Sequence, residues 1–417
     1  MINYSSDRTL NFSVSNSKHY LLLFILWPFM AFITALSNYR QKEAKKVVYF
    51  FLIYYGLTFV NTNEFVDAFR YGLRLKANAT LSFSEFFNVV GGLYSDTTVD
   101  IIEPLVSFVV SRFTDNSSVY FAIWTAIFGF FYLKSIDLLY NRHQISPGWN
   151  TLIIMLFFIF ILPITSISGV RMPTATWIFF YGACHVILYR DYRYLILTLS
   201  SALVHWSFIT ANVILIVYVI AGNRNFIYLP LAILSTIIPQ LLAPAFRAIS
   251  LRLGGVIQSR YEGYSSEGYI IGMQESHENA SWFLQISDNL VYYYLIAAIA
   301  VIQLRNRVLS SDREERNLFS FLLLFFAFVN FGKAIPTFGG RFQIVFYLFA
   351  TLYLFLYALK IPGEKVNILT LIGIFPMFLF AAIKFRLGSE SINAWIFTPL
   401  FGSPVVAPLL SISEMLF

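Results

Sequence analysis

Long stretches without Lys, Arg, Asp or Glu recur along the chain, broken by short connections in which the charged residues collect. The runs lie near Leu21 to Leu36, Val47 to Val60, Val119 to Leu133, Thr151 to Leu162 and Thr174 to Leu188. Others follow near Phe226 to Leu242, Leu290 to Leu304, Leu318 to Phe331, Phe342 to Leu359 and Val366 to Ile383. Between these two sets, Leu195 to Ile220 is too long for one comfortable crossing and too short for two ideal ones, which predicts two short helices meeting at a break beside His205 and Trp206. A helix needs roughly 20 mostly apolar residues to cross the hydrocarbon, so the pattern predicts an all-α polytopic membrane protein with about 12 transmembrane helices. A membrane β-barrel would alternate apolar and polar residues in short segments, and these continuous runs do not.

Two polar stretches are long enough to hold function. One runs over residues 61–118 and the other over residues 243–288; everything else reads as one integral membrane domain over 1–417. Within the first, Pro104 to Val110 is apolar but short, predicting a re-entrant or interfacial helix begun by Pro104. The basic cluster Arg40, Lys42, Lys45 and Lys46 marks the first connection as cytoplasmic. Alternation then puts Lys134 to Arg142, Arg190 to Arg193, Arg224, Arg305 to Arg316 and Lys360 to Lys365 on the same side, and both long stretches outside. No cleavable signal peptide is expected, because a polar segment precedes the first apolar run.

Composition sharpens this picture. Of 417 residues 58% are hydrophobic and only 12% charged, and the mean hydropathy is +0.68, more apolar surface than a soluble fold can bury. The net charge of +7 is scattered among the runs and forms no soluble basic patch, so nucleic acid is excluded as a partner. The single cysteine, Cys184, permits no internal disulfide. There is no phosphate-binding Gly-rich loop, dinucleotide fingerprint or metal-ligand spacing, so neither a metal nor another cofactor is expected.

The outer segments hold arginines that topology does not require: Arg70, Arg74, Arg112, Arg171, Arg252, Arg260 and Arg341. A guanidinium binds phosphate through two parallel hydrogen bonds and stays charged in a dry site. Pairing with headgroups or nearby acids such as Asp67 and Glu262 is the plain alternative. It is weakest for Arg171, in a very short turn between two runs, and for Arg341, which opens a run after Gly339 and Gly340; charges at such places mark substrate paths. Glu103, before Pro104, and His205, in the broken run, are candidates for proton transfer. Helix capping and a satisfied interfacial histidine are their respective alternatives. Tyr261, Tyr264 and Tyr269 occupy polar positions where rings can stack on sugars or anchor at the interface.

The order of motifs resembles the EpsG and Wzy-type polysaccharide polymerases. Phe69-Arg70-Tyr71-Gly72, Glu103-Pro104-Leu105, Ser168-Gly169-Val170-Arg171 and Leu203-Val204-His205-Trp206-Ser207 carry the resemblance, and Arg260-Tyr261-Glu262-Gly263-Tyr264 and Arg341 continue it. The chain departs from the pattern at Arg171-Met172-Pro173, where Arg-Gln is frequent, and at Leu73-Arg74, where an acid is frequent. The resemblance implies a fold like that of GT-C-type glycosyltransferases, seated in a bacterial inner membrane with the site facing the periplasm. It implies inverting polymerisation of polyprenyl-pyrophosphate-linked oligosaccharide repeats, building O-antigen, capsule or exopolysaccharide without nucleotide sugars or metal. Its implied partners are those lipid-linked substrates, membrane lipids, a flippase and a chain-length regulator. On this reading Arg171, Arg260 and Arg341 clamp the pyrophosphate, with Arg70, Arg74, Arg252, Tyr261 and Tyr264 as further substrate contacts. Glu103 or His205 takes the acceptor's proton. A lipid-linked oligosaccharide flippase, an O-antigen ligase and a membrane O-acyltransferase are the competing readings; the first would show pseudo-repeats, and the last would want its histidine on the cytosolic side.

Overall fold

The computed structural model describes residues 17–60, 67–93, 100–145, 147–278, 281–305, 312–333, 335, 338–361 and 366–404. All of its regular structure is helical among these residues. The first apolar run is broken at Trp27, just before Pro28, into α1 (Ser17–Leu26) and α2 (Pro28–Ser37). The Tyr20 hydroxyl bonds to Asn38. A straight helix would hold those residues roughly 27 Å apart at 1.5 Å per residue, so the run expected as one span folds back on itself. After it come α3 (Lys42–Leu57), α4 (Asp67–Ala79), α5 (Phe83–Leu93), α6 (Ile102–Ser111), α7 (Ser117–Ile145) and α8 (Trp149–Ile161). A 3-10 turn over Ile164–Gly169 leads into α9 (Arg171–Tyr189), and α10 (Tyr194–Val204) and α11 (Phe208–Ala221) follow. The chain continues through α12 (Asn225–Ile237), α13 (Ala243–Leu253), α14 (Gly255–Ser265), α15 (Glu267–Glu278), α16 (Trp282–Arg305), α17 (Arg313–Gly332), α18 (Phe338–Ala358) and α19 (Ile368–Ser389).

By length and composition six of these helices suffice to cross a membrane, or seven if α12 and the segment bent 105° from it count as one broken span. This is a multi-pass membrane protein. The expected count of about 12 exceeds that number because several crossings in the sequence pattern are short or broken helices, among them α10 and α11. The break between those two falls at His205 to Ser207, where the pattern put it. The helix expected from Pro104 begins two residues earlier, so the proline stands inside the first turn, where its missing N–H costs no bond.

The helices share two ends. At one, Lys45 of α3 pairs with Asp137 of α7, Arg142 of α7 with Glu314 of α17, and Lys360, just past α18, with Glu315. Asn317 joins the same end by donating to the Ile187 carbonyl of α9. The basic connections that the sequence reading assigned to one side thus meet at one end. At the other end Val60 donates to Ser391 and Ile101 to Leu203, so the segments after α3, α10 and α19 converge there.

An aromatic core runs between the ends. Trp124, Trp177, Phe179, Phe180, Phe321 and Phe325 are fully buried, and Phe180 meets the Phe349 ring at 4.8 Å. In lipid, helix association rests on close packing rather than on hydrophobic transfer, so small residues matter at crossings. Gly56 of α3 is one: a Cβ there would lie 2.0 Å from the Thr125 hydroxyl of α7.

Candidate active site

The described residues of the first polar stretch, 67–93 and 100–118, fold as a helical platform at the second end. Ser82 and Glu85 cap α5 reciprocally: the Ser82 N–H donates to Glu85 Oε2 at 2.8 Å and the Glu85 N–H to Ser82 Oγ at 3.3 Å. The α4 and α6 helices pack side by side. Asn78 donates to Ser107 at 3.0 Å, and Arg112 lies over the Phe108 ring while donating to the Leu81 carbonyl at 2.8 Å. Glu103 is completely buried in this seam, held by the Arg74 guanidinium and by the Tyr120 hydroxyl at 2.9 Å. Both carboxylate oxygens are therefore engaged.

Platform and membrane helices meet at Asp100, a residue that the sequence reading passed over. Arg171, the first residue of α9, donates from Nη1 to Asp100 Oδ2 at 2.7 Å and from Nε to the Tyr71 hydroxyl at 2.8 Å. His205 Nδ1 lies 3.3 Å from the same Oδ2, and the Trp206 N–H donates to Oδ1 at 2.7 Å. Burial alone would raise the Asp100 pKa. The His205 hydrogen bond and charge, the Arg171 guanidinium and the Trp206 N–H outweigh it and hold this carboxyl below its usual value. Tyr71 is pushed up to about 12 by burial, against the pull of Arg171, so its hydroxyl stays protonated.

An ionised carboxylate only accepts hydrogen bonds, so Nδ1 of His205 carries a proton toward Asp100, and whenever the ring is neutral it is Nε2 that presents the lone pair. Nε2 is buried and has no partner among the described residues. His205 lines a cavity of about 470 Å³. Asp67, Tyr71 and Arg171 line it on one side, Ser166 and Ser168 of the 3-10 turn, Arg341 of α18 and Lys384 of α19 elsewhere. The wall between the turn and α19 closes at Gly388, where a Cβ would fall 2.2 Å from Thr165 Oγ1. Any side chain there would push α19 off the turn.

Of the residues singled out from sequence, Arg171, His205 and Arg341 therefore share one cavity. Tyr264 joins them at its edge: Arg341 Nη1 donates to its hydroxyl at 3.4 Å and the guanidinium sits over its ring. Glu103 and Arg74 lie behind the wall, bonded to each other. Arg70 is 69% exposed, 3.8 Å from Asp67, and does not line the cavity. Arg252, exposed at the end of α13, and Tyr261 on α14 do not line it either. Arg260 belongs to α14, but its side chain lies outside the described set. Besides Asp100, the sequence reading missed Lys384. It had counted this lysine only as the edge of the last apolar run. Among the described residues no three His, Cys, Asp or Glu side chains converge as metal ligands.

No curated protein and no solved structure matches the chain. One family model does, over residues 47–396, and that span takes in the platform, both halves of the broken helix, Arg341 and Lys384. Every element that builds the cavity thus lies inside the match, and the chain belongs to the EpsG family.

Proposed function

We propose that this protein is a membrane glycosyltransferase that polymerises polyprenyl-pyrophosphate-linked oligosaccharide repeats at the non-cytoplasmic face of a bacterial inner membrane. The observation that carries the reading is His205 at the wall of a cationic cavity, its Nε2 without a partner among the described residues and its Nδ1 held from behind by Asp100. Family membership makes a polysaccharide polymerase the natural assignment. We read eleven helices as crossings between the two ends, α3, α7 to α12 and α16 to α19, with the α1–α2 hairpin beside them. The basic end faces the cytoplasm on the positive-inside rule, and the cavity then faces outward.

In this mechanism a hydroxyl of the acceptor repeat gives its proton to His205 Nε2 as its oxygen attacks the anomeric carbon of the donor. The new glycosidic C–O bond forms on the face opposite the breaking bond to phosphate, so the configuration inverts. Polyprenyl pyrophosphate leaves with the bonding electron pair. Asp100, itself fixed by the Trp206 N–H, holds the ring while it becomes an imidazolium, the role that a buried carboxylate plays behind a catalytic histidine. The leaving diphosphate gathers negative charge, and a fixed cation aimed at it in a water-poor site is worth about 3 kcal/mol. The donor is already activated at the glycosyl–phosphate bond that breaks, so no nucleotide sugar is required, and in this reading the cavity's own cations take the part a metal would play.

Glu103 does not suit the base, since both of its oxygens are engaged and it stands outside the cavity. A flippase would need access from both ends, whereas the cavity lies at one. The test is to give purified protein lipid-linked repeats in EDTA and resolve the products by length. A ladder is expected. A single added unit would make the protein a ligase, and transfer of intact lipid across vesicles without any new bond would make it a flippase.

A further inference from the structure

The charges of the cavity divide into two kinds. Arg171 has its Nε and one terminal nitrogen committed to Tyr71 and Asp100, so most of its fork is engaged within the protein. Arg341 and Lys384 have no carboxylate within ion-pair distance among the described residues; Arg341 makes only the long contact to Tyr264. Asp288 of α16 feels the Lys384 charge from farther than 4 Å. The cavity's own Asp67 is 3.8 Å from Arg70.

Lys384 stands inside the apolar helix α19, one turn before Gly388. Residues four apart share a helix face. Its ammonium lies 5.0 Å from the ring centre of Phe380, one turn earlier, and Lys384, Leu387 and Gly388 all line the cavity. The lysine is thus turned inward from a membrane helix, with its stem along an aromatic ring. Charged groups inside a span persist where they serve a ligand or a partner charge.

We propose that Lys384 and Arg341 together form the diphosphate subsite, Arg341 engaging two oxygens through its planar fork and Lys384 acting as a point charge on the other phosphate. Ser166 and Ser168 line the same cavity and add polar groups to the cradle. Arg171, by contrast, is a positioning residue that acts through Asp100 on His205. This inference rests on the polymerase reading for the identity of the ligand, a diphosphate monoester of an isoprenoid alcohol.

The experiment measures binding apart from turnover. A short-chain isoprenyl diphosphate is titrated calorimetrically into detergent-solubilised wild type and into the Lys384→Gln, Lys384→Arg and His205→Gln variants, each first shown to be monodisperse. Phosphatidylglycerol in mixed micelles serves as a parallel titrant. Lys384→Gln is expected to weaken diphosphate binding at least about tenfold, with Lys384→Arg retaining most of the affinity and His205→Gln binding like wild type. Wild-type affinity in Lys384→Gln would overturn the assignment, as would an equal loss toward phosphatidylglycerol, which would make Lys384 a headgroup anchor. Wild type that forms ladders but binds no isoprenyl diphosphate would also overturn it while leaving the polymerase reading intact. Lys384-dependent binding by a protein that forms no new glycosidic bond would do the reverse.

Discussion

The two ends of the molecule use charge in opposite ways. At the basic end cations meet carboxylates from other helices: Lys45 with Asp137, Arg142 with Glu314, Lys360 with Glu315. These pairs lie between helices distant in sequence and tie their ends together. At the cavity end the pairing stops short. Asp100 and Glu103 are satisfied, yet Arg341 and Lys384 line the cavity without a carboxylate partner among the described residues, and the buried Nε2 of His205 has no partner there either. One end is tied together by ion pairs between helices; the other, in the proposed function, awaits a ligand. Charge that closes on itself stabilises, and charge left open marks where a ligand supplies the complement.

That contrast breaks most sharply at His205. Replacing it with Gln should leave the fold intact and cut polymer formation by a factor of about 10²–10⁴, the usual contribution of a general base. Retention of normal ladders would remove the histidine from the chemistry. Glu103→Ala is the matched test of a closed group at the same end: it leaves the buried Tyr120 hydroxyl without its acceptor, at a cost of about 1–3 kcal/mol, and releases Arg74, which is partly exposed and can turn to solvent. Its effect should therefore read out as a lower unfolding temperature. A stable, monodisperse Glu103→Ala protein without activity would instead give this carboxylate a direct part in the reaction.

Arg171→Lys comes next. A lysine ammonium cannot span Tyr71 and Asp100 as the guanidinium does, and the loosened Asp100 would orient His205 poorly. The expected result is a roughly tenfold fall in turnover, with isoprenyl diphosphate binding kept. Loss of that binding would return Arg171 to the clamp that the sequence suggests. Smallest is Lys45→Ala at the basic end, a partly exposed pair worth about 1 kcal/mol or less. Ladders should be unchanged and melting only slightly earlier; a large loss of activity would break the division between the ends.

Much of this was legible from the chain alone, and the exceptions have physical causes. Arg171 and His205 stood out because each interrupts an apolar pattern, the first at a turn and the second at a break. Asp100 did not, because nothing near it distinguishes one acid from Asp96 or Asp115; its importance comes from partners 71 and 105 positions away. Lys384 was hidden by the opposite effect, since a lysine near the end of an apolar run looks like one that snorkels to the interface. Glu103 was recognised as unusual, but what decides its state is Arg74 on another helix. The first apolar run misled as well, since periodicity reports that a segment is apolar and not that Trp27 and Pro28 fold it double.

The break at His205 has a consequence for the surrounding lipid. The α10 helix has 11 residues and α11 has 14, which at 1.5 Å each gives roughly 16 and 21 Å against a hydrocarbon core of about 30 Å. A hairpin that shallow obliges the bilayer to thin beside it, so the acyl chains there are locally compressed. On the proposed mechanism, the attacking hydroxyl and the leaving isoprenoid would meet beside that dimple. Acyl-chain length thus becomes a variable of the enzyme: thick bilayers oppose the dimple and thin ones favour it, by fractions of a kcal/mol per Å of mismatch.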